Sequence, residues 1–151
     1  MSHAYLVWKV LHLAGAVLML GNVTVTGVWA ALLWRNRSEV PFRQIARGIL
    51  WTDLWFTLGG GALMVIAGIQ MIRLGAVPWR ETSWLWRGIL AFGATTAIWL
   101  VALLPDQWRM EQCDPADEIR FGRLFRRWNL VGWMATAALY WGLWIMVTKP
   151  I

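Results

Sequence analysis

Residues 5–34 read YLVWKVLHLAGAVLMLGNVTVTGVWAALLW. Lys9 is the sole Lys, Arg, Asp or Glu among them. A bilayer's hydrocarbon core is about 30 Å thick, and a helix of roughly 20 mostly apolar residues crosses it. This stretch exceeds that length. It also outruns the apolar core of a signal peptide, and Met1-Ser2-His3-Ala4 before it carries no Lys or Arg. The expectation is a retained transmembrane helix.

Three further stretches pass the same test, at 49–74, 84–104 and 129–148. With 59% hydrophobic and 15% charged residues in 151, the composition is that of a membrane protein. The predicted fold is all-α: one transmembrane domain over 1–151, a bundle of four helices with no separate soluble domain. Cys113 is the single cysteine, which excludes an intrachain disulfide and leaves it a loop residue. Phosphate-binding glycine loops, GxSxG and HExxH are absent, and Gly59-Gly60-Gly61 lies mid-helix, where close packing accounts for it.

Charge sets the expected orientation. Arg35, Arg37, Arg43, Arg47, Arg109, Arg120, Arg123, Arg126 and Arg127 fall in two loops, 35–48 and 105–128. Lys9, Arg73, Arg80, Arg87 and Lys149 lie toward the other face. The positive-inside rule then places both loops in the cytoplasm and both termini in the periplasm, with the chain in a bacterial inner membrane. The net charge of +6 thus reads as topology and not as nucleic-acid binding. The fourteen tryptophans fit the same layout. Trp8, Trp79, Trp84, Trp86, Trp141 and Trp144 are expected in the outer aromatic belt, and Trp34, Trp51, Trp55, Trp108, Trp128 and Trp133 in the inner one. Between helices 3 and 4, Asp114-Pro115-Ala116-Asp117 reads as a helix start with Asp as cap and Pro at the first position. Ile119, Phe121, Leu124, Phe125 and Trp128 then alternate with arginines. This predicts a short amphipathic interfacial helix on the membrane surface.

Polar residues inside spans are costly and default to functional candidates. His12 lies near the outer end of helix 1, on a face with Trp8, Gly15, Met19 and Thr26, with Asn22 at its margin. A neutral imidazole there suits haem iron; the alternative is a hydrogen-bonded packing residue. Lys9, Arg73, Arg87 and Lys149 are expected around the same mouth, where they either pair with haem propionates or reach lipid phosphates. Met64 and Met71 are the candidate second ligands, against a plain packing role. Asp53 shares a face of helix 2 with Thr57, Gly60, Met64 and Met71, and a structural ion pair with nearby arginines is favoured over a proton relay. Asn129, Thr136 and Tyr140 make a polar stripe on helix 4 that interhelical hydrogen bonds explain.

Leu11-His12-Leu13-Ala14-Gly15-Ala16 with Gly21-Asn22-Val23, Ser83-Trp84-Leu85-Trp86, Arg127-Trp128-Asn129-Leu130-Val131-Gly132 and Met146-Val147-Thr148-Lys149-Pro150 together resemble the predicted integral membrane proteins defined by domain of unknown function 2269. That resemblance implies the fold and no activity. Lys9-Val10-Leu11-His12 is also similar to the Lys-x-x-His pattern of HemJ-type protoporphyrinogen oxidases and CopD-like membrane proteins. It implies haem binding at His12 and an accessory role for Lys9. Leu18 stands where those oxidases have Trp, no Arg follows before Arg35, and Trp86 stands where their third helix has His.

The expected function is haem b or porphyrin binding, related to redox or tetrapyrrole handling, with His12 on iron and Lys9, Arg73 and Arg87 on carboxylates. The electron partner would be quinol or a periplasmic protein. The alternative is a non-catalytic accessory or assembly subunit of a larger membrane complex. Fused after Ile151, a reporter active only in the periplasm is expected to be active, and one active only in the cytoplasm silent; the reverse result inverts the topology.

Overall fold

The computed structural model describes residues 2–39, 42–114 and 117–150, apart from the side chains at 42 and 43. All secondary structure among them is helical. Helix α1 spans His3–Arg35, capped by Ser2, whose Oγ accepts the Tyr5 N–H at 3.3 Å. Helix α2, Phe42–Thr52, runs through a π-helical turn at Asp53–Leu58 into α3, Gly59–Leu74. Helix α4, Ser83–Ile98, likewise runs through a π-helical turn at Trp99–Leu103 into α5, Leu104–Glu111. Helix α6 spans Glu118–Thr148. These elements make four rods, His3–Arg35, Gln44–Leu74, Ser83–Glu111 and Glu118–Thr148, each long and apolar enough to cross a membrane.

The third rod passes its expected end at Leu104 because Pro105 interrupts the ladder without ending it. Proline offers no N–H, and its ring crowds the carbonyl four residues back. The helix widens just before it, where the Leu104 N–H reaches the Trp99 carbonyl five residues away. The rod then continues and carries Asp106 and Gln107 into the bundle.

The amphipathic stretch also differs from expectation. It is the first turns of α6, continuous with the last span, and not a separate helix. Phe121, Phe125 and Trp128 recur at i, i+4 and i+7, so they share one face. That face is buried, and Phe125 stacks on Trp34 of α1 with ring centroids 4.2 Å apart. Trp128, expected in the inner belt, is therefore a core residue. The cap is Asp117, whose carboxylate accepts the Arg120 N–H at 2.9 Å, and not Asp114. Pro115 and Ala116 of the expected helix start lie outside the described residues.

Around the bundle, α1 lies along α3 and against α6, and α6 lies along α4. The main core fills the arginine-rich end, where Ile49, Trp99, Leu103, Met110, Phe125 and Trp128 pack together. Apolar side chains on the outer faces stay bare: Val17 is 70% exposed, Val101 79% and Val147 71%. Such faces are stable against acyl chains and not against water.

Toward the end holding both termini, α1 and α3 touch through their backbones. A Cβ on Gly15 would lie 2.6 Å from the Gly60 carbonyl oxygen and 2.7 Å from the Met64 nitrogen. One on Gly60 would lie 2.9 Å from the Gly15 oxygen. Small residues allow this approach where lipid supplies no hydrophobic drive. Gly21 and Gly93 face open space instead, so the packing role does not extend to every glycine. Gly15→Ala is expected to lower stability by about 1–3 kcal/mol, since backbone cannot yield to the added methyl. Gly21→Ala should be neutral or slightly stabilising. Thermal unfolding of both variants in one detergent measures the contrast.

Candidate functional site

His12 lies on the α1–α3 seam, half-buried, one turn beyond Gly15. Its Nδ1 is 2.7 Å from the Met64 carbonyl oxygen. A carbonyl only accepts, so Nδ1 donates, and in the neutral ring the lone pair is then on Nε2. The ring edge rests on Gly68, where a Cβ would come within 3.2 Å of Nδ1. Met64 thus meets His12 through its backbone. The Gly15 contact at the same residue leaves no gap between α1 and α3 for a flat macrocycle. Met71 lies two turns farther along α3, half-buried.

The expected cations are distributed over both helix pairs. Lys9 and Arg73 are exposed on α1 and α3, and Arg87 is exposed on α4, next to Gly88, which packs on Met146 of α6. Among the described residues none of the three has an acidic partner. Lys149 lies over the Trp84 ring, 5.1 Å from its centroid. The donor set suits a haem in part. An imidazole with Nδ1–H held by a carbonyl has the tautomer of an axial ligand, and exposed cations lie toward the same end. A flat ring on His12 has room only outside the α1–α3 seam.

A second polar site lies deeper. Asp53 opens the π-helical turn of the second rod and is 5% exposed. Asn22 of α1 donates through Nδ2 to Asp53 Oδ1 at 2.7 Å and lies 3.0 Å from Thr57 Oγ1. Thr57 donates to the same carboxylate oxygen at 3.4 Å. Gln107 of α5 donates through Nε2 to Asp53 Oδ2 at 2.6 Å. The ion pair expected at Asp53 is not what forms: among the described residues its partners are neutral. The arginines go elsewhere. Asp106, 1% exposed, takes Arg127 in a two-pronged contact, with Nε on Oδ2 at 2.6 Å and Nη2 on Oδ1. Arg109 adds a contact at 3.4 Å. Arg47 pairs with Glu111 at 3.1 Å.

Beside Asp53 a cavity of about 50 Å³ opens, lined also by Thr26, Leu103, Trp128, Asn129 and Thr136. On the polar stripe of α6, Tyr140 joins Thr24 of α1 at 3.0 Å, while Thr136 donates to its own helix at Gly132.

Asp106 and Gln107 escape the sequence reading because Pro105 looks like a helix end. The available signal is that Leu103, Gln107 and Met110 continue one helical face past it. A family model described as "Predicted integral membrane protein (DUF2269)" matches residues 6–150, and the chain belongs to that family. No curated protein and no solved structure matches it.

Removing Arg127 strands the buried Asp106 carboxylate, whereas removing Arg109 leaves the bidentate pair intact. Arg127→Ala is expected to destabilise by about 2 kcal/mol, near the worth of charge-assisted hydrogen bonds. Arg109→Ala should cost well under half of that. Unfolding midpoints of the two variants in matched detergent test the order.

Proposed function

We propose that this member of a family of integral membrane proteins binds one haem or porphyrin at its terminal end, with His12 as the iron ligand. The observation that carries the reading is the bond from His12 Nδ1 to the Met64 carbonyl. It fixes the tautomer and orients Nε2, as second-shell carbonyls do for ligating histidines. Gly68 supports the reading by leaving space for the ring edge. Lys9, Arg73 and Arg87, exposed and without acidic partners among the described residues, would hold the carboxylates. The closeness of the α1–α3 seam favours a single ligand from the protein over a Met64 sandwich. When bound, a haem supplies one-electron chemistry, with quinol or a periplasmic protein as partner. The chain itself would hold the iron through His12. Its place would be a bacterial inner membrane with both termini periplasmic, a reading supported by the arginines at the other end.

The same Nδ1 bond favours a second reading. It gives His12 a complete packing role between two helices, as an accessory or assembly subunit of a larger complex would need.

Visible spectra of the protein in mild detergent, oxidised and then dithionite-reduced, separate the two. Wild type is expected to show a Soret band with sharpened α and β bands on reduction, both lost in His12→Ala. Lys9→Gln should weaken haem retention without moving the bands. Colourless protein after expression with haem precursor sinks the haem reading and leaves the accessory subunit.

A further inference from the structure

Asp53 presents a problem in electrostatics that its neighbours do not close. Inside a membrane span, neutral donors satisfy an ionised carboxylate's hydrogen bonds but leave its charge uncompensated unless a cation is near. Asp53 has donors from Asn22, Thr57 and Gln107 and, among the described residues, no cation. Two nearby polar groups are left over. Gln107 is 5% exposed and its Oε1 has no partner; Trp128 is 8% exposed and its Nε1 has none. Trp128 and Asp53 line the same cavity.

These leftovers have complementary chemistry. A primary amide is a donor at one end and an acceptor at the other. Gln107 as placed serves a carboxylate; turned over, it accepts from a carboxylic acid. Trp128, which shares the cavity lining with Asp53, can only donate through its Nε1. A bare metal cation in the cavity would leave that N–H without an acceptor. A water accepts from Trp128 and donates to Asp53, and about 50 Å³ holds one or two. We infer that Asp53 is a proton-binding site within the membrane span, served by water held between its carboxyl and Trp128, with Gln107 accommodating both protonation states. The site does not depend on haem at His12, which lies ten residues, roughly 15 Å, away along α1 from Asn22.

Other titratable groups near Asp53 are engaged or distant. On α2, Arg47 pairs with Glu111 of α5, and the Arg43 side chain lies outside the described residues. On α5, Asp106 is occupied by Arg127 and Arg109. Helices α1 and α3 bring His3, Tyr5, Lys9, His12 and Arg73 toward their terminal end, and Arg35 at the other end of α1; on α6, Tyr140 joins Thr24, Arg123 and Arg126 are exposed, and Glu118 and Arg120 lie in its first turn.

Infrared titration of the whole protein in lipid tests the inference. Wild type is expected to show a protonated-carboxyl C=O stretch, sensitive to D2O, that disappears as pH rises. The band should be absent in Asp53→Asn and present in Asp106→Asn. Trp128→Phe keeps the ring and removes the N–H that orders the water. Losing that support for the ionised form should raise the midpoint by roughly one pH unit. Replacing choline by sodium in the buffer should leave the midpoint unchanged. A wild type without a titrating band, a band that survives Asp53→Asn, or a sodium-dependent midpoint overturns the inference, the last in favour of a metal cation. If Asp53→Asn does not fold, Trp128→Phe decides, and an unmoved midpoint overturns it.

Discussion

The contact between the backbones of Gly15 and Gly60 is the constraint on which the rest of the terminal half depends. It brings α1 within van der Waals reach of α3, and that approach allows the His12 ring to reach a carbonyl on the neighbouring helix. Farther along the same seam, Asn22 of α1 meets Asp53 of the second rod. A larger side chain at either glycine would act on both polar sites through one displacement. In lipid, shape of this kind takes the place that hydrophobic burial has in water.

The arginine-rich half is held differently. Aromatic rings fill it, with Trp34 against Phe121 and Phe125, and Phe125 against Trp128. Asp106 ties α5 to α6 through Arg127 at the margin of this core. The two halves meet at Asp53, where glycine packing on one side gives way to aromatic packing on the other.

The architecture was legible in the sequence because a bilayer demands long apolar runs, and 5–34 meets that demand almost without interruption. His12 was legible for a related reason, since a polar ring in such a run stands out. The Asp53 site was half legible. The residue was visible, but its partners come from Asn22, 31 positions back, and Gln107, 54 positions on. Pairing across helices leaves no periodic trace in a single sequence. Pro105 hid Gln107 further, because the rule that proline ends helices holds in water more strictly than in a bundle where the ladder can widen. The surface helix was misplaced for a similar reason: an amphipathic face looks the same whether it meets lipid headgroups or a neighbouring tryptophan.

The widened turns at Asp53–Leu58 and Trp99–Leu103 have a consequence for the phase of the two middle rods. An extra residue in a helix advances every later side chain by about 100° around the axis. Across the first widened turn the inward stripe nevertheless stays in register, with Asp53, Gly60 and Ala67 buried seven apart. Across the second the inward stripe shifts by one: Gly88 and Thr95 are buried before the turn, Leu103 and Met110 after it, with eight residues from Thr95 to Leu103. The two halves can in this way present unrelated surfaces without a break in the chain. Deleting one residue from the second widened turn would bring that rod's halves back into step and swing either Gly88 and Thr95 or Leu103 and Met110 toward lipid.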